Sequence, residues 1–321
     1  MNNSSIAEIA AILKNANTVA IACHVRPDGD ALGSGLALSL ALKNAGKTAY
    51  MLCEEEPPER LKIFPAMDGT FRQIPEGVKP DLFVAVDSAE LSRIGVFAPQ
   101  FEDFKGNTLN IDHHVSNPRY AKYNYVLPES TATCEIMPEI FQAAGLEITK
   151  EIADLLALGL LTDSGNFTHN DVSAKTFGVA SKLKECGADI SGIGYLMFTH
   201  QNKGRALLYA RVLSHMRFEL DDKLVFLTVS NHDMEETGTD KSQTEGFVDY
   251  PLSIEGVEVS ISLLEVHKMQ YKASLRSKKI DVNAVASKFG GGGHVLASGC
   301  MLFGEYEEII ERLKFAVYQQ L

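Results

Sequence analysis

The sequence predicts an α/β protein of two domains, an N-terminal one built on a parallel sheet and a smaller α/β one after it. Three observations lead there. Continuous apolar runs of strand length alternate with helical patterns through the first half, as a sheet covered on both faces requires. A mostly helical stretch from Ser173 to about His215 separates them from a second set of strands. The chain has 321 residues, 45% apolar and 22% charged, enough for two cores of ordinary size.

Taken in order, Ser5 to Glu8 reads as a capping box that opens a short helix with Ile6, Ile9, Ala10 and Leu13 on one face. Thr18 to Cys23 is a buried strand, and Ala31 to Ala45 a helix closed by Gly46. Thr48 to Cys53, Asp81 to Val86 and Thr108 to Ile111 are further strands, while Thr133 to Ala144 and Lys150 to Leu161 are helical. Strands at Leu224 to Val229, Val257 to Val266 and Lys268 to Lys278 follow. A helix over Val282 to Lys288 leads to four glycines and His294, and a last helix starts near Tyr306. The domain limits expected are 1–190, a helical connector over 191–215, and 216–321.

Composition excludes several roles. No run of 18 apolar residues exists to span a bilayer, and the polar start from Met1 to Ser5 has no signal-peptide pattern. Cys23, Cys53, Cys134, Cys186 and Cys300 form no C-x-x-C pair, which argues against a zinc ribbon or disulfide framework and suits a reducing cytoplasm. A net charge of −12 argues against holding long nucleic acid by its backbone, though a local basic pocket could still take one or two nucleotides.

Four segments carry the chemistry. They are His24-Val-Arg-Pro-Asp28-Gly-Asp30 after the first strand, Asp87 ending another, Asp112-His113-His114 ending a third, and Asp163 at a helix end. Open α/β sheets build their sites at the carboxyl ends of strands, so three of these can converge. A lone aspartate after a strand is ordinarily a turn or a helix cap. Adjacent histidines behind a carboxylate are harder to assign to packing. Oxygen and imidazole donors suit manganese, magnesium or iron(II) better than a thiolate-seeking metal. Two divalent cations about 3.5–4 Å apart would need about six such ligands, one of them a bridging carboxylate.

HVRPDGDALGSG, VDSAELSRIG, IDHH, TDSG and GGGGH together resemble the DHH phosphoesterase superfamily, and within it the nanoRNase branch of bifunctional oligoribonucleases and 3′-phosphoadenosine 5′-phosphate phosphatases. The resemblance covers nearly the whole chain. It implies an N-terminal parallel-sheet DHH domain and a smaller DHH-associated substrate domain. It implies two divalent metal ions, Mn2+ foremost with Mg2+ and Fe2+ as alternatives. His24, Asp28 and Asp87 would hold one; Asp30, Asp87, His113 and Asp163 the other, with Asp87 bridging. His114 is assigned to the phosphate and leaving group, and Asp112 to support of the histidine pair. Ser164 stands where threonine is common and Ser298 where alanine is common; neither removes a ligand.

From Lys268 to Lys278 one face of the strand reads Lys268, Gln270, Lys272, Ser274, Arg276 and Lys278, with no acid between. A solvated edge strand whose lysines discourage pairing is the plain alternative. Arg276 differs, because a planar guanidinium suits bidentate phosphate binding. SLRS, DVN and GGGGH resemble the DHH-associated domain, and on that ground Arg276, Gly291, Gly292, Gly293 and His294 are expected to bind the substrate's phosphate and sugar end. Gly46-Lys-Thr48 lacks the leading glycine of a P-loop, and Gly33-Ser-Gly35 lacks the third glycine of a dinucleotide fingerprint. Arg93 is open between reaching the site and a salt bridge, and His169, His200, His215, His232 and His267 read as structural or surface residues.

The reading is a metal-dependent hydrolase of short oligoribonucleotides such as dinucleotides, or of adenosine 3′,5′-bisphosphate to AMP and phosphate. Partners are short RNA, mononucleotides or dinucleotides rather than long nucleic acid or membrane; a homodimer stays open. The alternatives are a phosphodiesterase of cyclic dinucleotides (c-di-AMP, or its linear product pApA) and a nucleotide-sensing module with a dead site.

Overall fold

In the computed structural model residues 3–321 are described; Met1 and Asn2, which begin the polar start, lie outside them. The chain forms two compact units, one ending at His200 and one running from Gln201 to Leu321.

The first unit is a six-stranded sheet: β1 (Thr18–Ala22), β2 (Thr48–Leu52), β3 (Thr70–Phe71), β4 (Leu82–Val86), β5 (Asn107–Asp112) and β6 (Tyr123–Val126), ordered β3-β2-β1-β4-β5-β6. Every pairing is parallel. Its helices are α1 (Ile6–Asn15), α2 (Gly29–Asn44), α3 (Ala98–Glu102), α4 (Thr133–Ala144), α5 (Lys150–Asp163), α6 (Ala174–Glu185) and α7 (Ile190–Gly194). Val19 and Ile21 face one core with Leu82, Val84 and Val86. Ala20 and Ala22 face a second with Phe83 and Ala85. Two covered faces explain why these strands read as unbroken apolar runs. The Ser5–Glu8 capping box forms as expected.

Helix α2 starts earlier than its apolar pattern suggests, because Asp28 caps it by accepting from the Asp30 and Ala31 N–H groups. It packs tightly on α5. A Cβ at Gly33 would lie 2.5 Å from the Leu155 carbonyl oxygen, so that glycine serves helix contact rather than a dinucleotide. Helices α6 and α7 join the same core through Ala180, Leu183 and Ile193.

The second unit contains α8 (Lys203–Ser214), β7 (Arg217–Glu219), β8 (Leu224–Val229), α9 (Asn231–Thr237), β9 (Val259–His267), β10 (Gln270–Ser277), α10 (Val282–Ser287), β11 (Gly292–His294), β12 (Ala297–Phe303) and α11 (Tyr306–Tyr318). The sheet order is β11-β12-β10-β9-β8-β7, antiparallel except between β8 and β9. Leu224, Phe226, Ala273 and Leu275 face a core shared with α10 and α11. Leu227 and Val229 face the other side with Leu208 and Val212 of α8. Strand β10 lies inside the sheet between β9 and β12, so the edge-strand explanation fails for Lys272, its one lysine. Among the described residues no helix is long and apolar enough to cross a membrane.

Candidate active site

The strand order reverses between β1 and β4, the place where open α/β sheets leave a crevice for ligands. His24 follows β1 and Asp87 follows β4. His24 Nε2 lies 3.4 Å from Asp87 Oδ2 and 3.5 Å from Asp28 Oδ2. The other oxygen of Asp87, Oδ1, lies 3.6 Å from His113 Nε2, which is itself 3.3 Å from Asp163 Oδ2. Asp87 thus turns one oxygen to each imidazole. Its backbone is left-handed, φ 49°, a conformation aspartate tolerates better than most residues.

Asp30 is fully buried, and its carboxylate accepts from the Thr133 N–H at 2.6 Å and the Cys134 N–H at 2.8 Å. These are the first two amides of α4, whose N-cap, Ala132, offers no side chain. Asp30 therefore caps that helix from another element, where the helix dipole favours negative charge. Thr133 Oγ1 also donates to Asp87 Oδ1 at 3.1 Å. A Cβ at Gly159 would come within 2.6 Å of Asp30 Oδ1, so the α5 glycine makes room for the carboxylate.

The donor set fits divalent cations. His24, Asp28 and Asp87 offer atoms within 4.8 Å of one another, as do Asp30, His113 and Asp163, and Asp87 with His113 and His114. The ring nitrogens facing away are engaged by backbone, His24 Nδ1 by the Val25 carbonyl at 2.9 Å and His113 Nδ1 by the Ser130 carbonyl at 3.2 Å. An Nδ1–H donated to a carbonyl leaves Nε2 to coordinate, the usual support of a metal-binding imidazole.

Electrostatics agree. Burial, with Asp87 and Asp163 nearby, holds the Asp30 carboxyl well above its ordinary range. Burial, with Asp87 and Asp28, pushes Asp163 up to about 6. Burial works against charge on His24, but Asp28 and Asp87 outweigh it and lift the ring to about 10. His113 rises to about 10 in the same way, through Asp163, Asp30 and Asp87. Asp28 is lowered, loss of water being outweighed by His24. Crowded acids reluctant to ionise, beside imidazoles reluctant to lose a proton, are the environment in which a cation replaces protons.

Asp112 stands apart from this set. It is fully buried and accepts from His114 Nδ1 at 2.8 Å and Asn117 Nδ2 at 2.6 Å. The support expected for both histidines reaches only His114 directly; Ser130 serves His113 instead. The Asp112 hydrogen bond raises the His114 pKa, and burial of Asp112 is outweighed by His114 and Asn117, which lower its own. Sequence reasoning missed Asn117, which also bonds Asn110 at 2.7 Å and the Ser88 carbonyl at 3.3 Å. It missed Thr133, Ser130 and Cys134 as well. The one available signal was a helix opening on Thr133 and Cys134, with Ser130 just before it and no side-chain cap of its own. Arg93 makes no ion pair among the described residues; its carbonyl accepts from the Val25 N–H at 2.7 Å. His169 is tied to the Asp163 carbonyl through Nδ1, at 2.6 Å.

In the second unit Arg276 pairs across the sheet with Ala297, which pairs with His294. Directly paired residues share a face, so Arg276 and His294 flank one position of it. Arg276 Nε meets Asp249 Oδ1 at 3.2 Å, and His294 is exposed. A Cβ at Gly291 would lie 2.2 Å from the Gly299 carbonyl oxygen, and one at Gly293, φ 151°, would lie 2.6 Å from that of Ala297. Packing on β12 thus explains those two. A Cβ at Gly292 would meet nothing closer than 3.8 Å, so packing does not demand a glycine there.

A parallel sheet whose switch point gathers two carboxylate–imidazole sets around one shared aspartate defines a phosphate-ester hydrolase. Residues 18–160 match the DHH family, N-terminal domain, and residues 221–319 match the DHHA1 domain. The chain belongs to the DHH family. It is 34% identical over 320 residues to the bifunctional oligoribonuclease and PAP phosphatase NrnA of Thermus thermophilus, covering 98% of this chain and 93% of that protein. An exopolyphosphatase-related protein from Bacteroides fragilis superposes with a TM-score of 0.87 at 28% identity, over 98% of this chain and 95% of the other. RecJ in complex with Mn2+ from Thermus thermophilus shares the fold with a TM-score of 0.53 at 15% identity, over 99% of this chain and 55% of that one.

Proposed function

We propose that this enzyme hydrolyses short oligoribonucleotides and removes the 3′-phosphate of adenosine 3′,5′-bisphosphate, using two divalent cations. The observation that carries the proposal is Asp87, one oxygen toward His24 and the other toward His113. The names of the DHH relatives supply the substrate class. His24, Asp28 and Asp87 would hold one cation, and Asp30, Asp87, His113 and Asp163 the other. When bound, such a pair activates water and neutralises charge on the phosphoryl group. Manganese is proposed over magnesium or iron on the oxygen-and-imidazole donor mix, with the manganese-bound RecJ as a fold relative.

The remaining work belongs to the chain. Asp112 and Asn117 fix His114 with its Nδ1–H engaged, so Nε2 is the nitrogen that hands a proton to the departing oxygen. The Asp112 hydrogen bond raises the His114 pKa, which favours the protonated ring. Arg276, Gly291 to Gly293 and His294 bind the substrate's phosphate and sugar end. Five free cysteines suit a reducing compartment, and the cytoplasm is the proposed location.

The test is an assay of purified protein with manganese, with and without chelator. Substrates are a dinucleotide, adenosine 3′,5′-bisphosphate, a cyclic dinucleotide and inorganic polyphosphate. Chelator-sensitive turnover of the first two, faster than of the others, is the expected result. Hydrolysis of only the cyclic dinucleotide or polyphosphate, or turnover indifferent to chelator, would overturn the proposal.

A further inference from the structure

Immediately after Asp163 and Ser164, three consecutive residues adopt positive φ: Gly165 (55°), Asn166 (55°) and Phe167 (65°). Glycine and asparagine accept this region readily; phenylalanine does not. Such outliers persist only where surrounding bonds enforce them, and they cluster at functional sites. Here Ser164 enforces the turn. Its hydroxyl accepts from the Phe167 N–H at 3.1 Å, and its carbonyl accepts from the N–H groups of Thr168 and His169. His169 then binds back to the Asp163 carbonyl.

The product of this strained turn is an aromatic pair. Phe167 stacks on Phe177 of α6 with ring centroids 5.2 Å apart and planes at 23°. Phe167 is half-buried against the core, whereas Phe177 is 55% exposed. The first turn of α6 is anchored beside the site. Thr176 bonds Glu135 and Thr131, and Lys175 reaches Ser130, whose carbonyl holds His113. Phe167 itself is four residues from Asp163, at most about 14 Å along the chain.

We infer that the exposed face of Phe177, backed by Phe167, is a stacking platform for a nucleobase of the substrate. This deepens the proposed function and rests on it, since only a nucleotide brings a base to the site. A flat ring supported from below by a second one loses little freedom on stacking. Aromatic platforms of this kind hold any base, because every base has a π-face. The platform binds the base on the Asp163 side, orients the ester toward the carboxylates, and is indifferent to base identity.

The chain has no tryptophan, so Phe177→Trp in the full-length protein introduces a single fluorophore at the platform. Adenosine monophosphate is expected to quench the introduced indole saturably, and ribose 5-phosphate to leave it unchanged. In steady-state kinetics, Phe177→Ala raises KM for a dinucleotide about tenfold or more with kcat within about twofold, and Phe177→Tyr restores KM. On an abasic dinucleotide analogue, Phe177→Ala matches the parent. Absence of quenching, or an equal KM effect on the abasic analogue, overturns the platform. Quenching in a protein that turns over no dinucleotide upholds it while overturning the proposed function; turnover without quenching does the reverse.

Discussion

Replacing Asp87 with asparagine removes one charge and almost nothing else. Asparagine tolerates the left-handed backbone at this position, and its amide oxygen can still accept from Thr133 Oγ1. With separations of 3.4 Å to His24 and 3.6 Å to His113, unit charges at an effective dielectric of ~20 attract by about 5 kcal/mol each. Asp87 also raises the pKa of Asp30 and Asp163, so the substitution relieves repulsion there. These effects oppose each other in the metal-free protein, whose stability is expected to change by no more than about 2 kcal/mol. Cation binding has no such compensation, since both donor sets lose their shared anion. A loss of about 4–7 kcal/mol of transition-state stabilisation corresponds to a rate about 10³- to 10⁵-fold lower. The assay pairs initial rates on a dinucleotide in manganese with melting curves in chelator and in manganese. A variant that melts like the parent in chelator, gains little from manganese and is nearly inactive matches the reasoning. A rate within tenfold of the parent would refute it.

Gly159→Ala should place a methyl against Cys134 Sγ and Asp30, destabilising by about 2–3 kcal/mol and weakening manganese binding; urea midpoints and a metal titration read both. Asn117→Ala strips a donor from a buried carboxylate and is expected to cost about 2–3 kcal/mol in denaturant unfolding, with kcat falling more than KM rises. The imidazoles of His24 and His113, lifted to about 10, supply metal-free stability that is fully present below their unfolded value of about 6.5 and is lost as pH climbs through about 10. Metal-free melting temperature should therefore fall from about pH 6.5 to about pH 8.5, while the increment given by manganese grows and binding releases protons. An increment independent of pH would sink this reading.

Much of the candidate centre was legible because each proposed donor lies at one end of an element. Asp28 and Asp30 open α2, Asp87 follows β4, the Asp112 segment closes β5 and Asp163 closes α5. Such positions carry turn and cap chemistry that sequence patterns report directly. Asn117, Ser130 and Thr133 were hidden because each acts through a tertiary contact with no local pattern. Strand β3 has two residues, and β7 and β11 three each, too short for alternation to register. Lys272 of β10 misled for another reason: an interior strand can still carry polar residues on the face turned away from its main core, where Lys272 is exposed and Arg276 meets Asp249.

Asp28 and Asp30 each begin a helix, one capping α2 and the other α4 from a distance. Folding alone would therefore preserve both acids in a descendant that had abandoned chemistry. His24 and His113 cap no helix; outside the carboxylate cluster itself each is tied to the scaffold by one backbone carbonyl. Decay of the enzyme along a lineage would register first at the imidazoles, and two surviving aspartates near the start of such a chain would be a poor witness to activity.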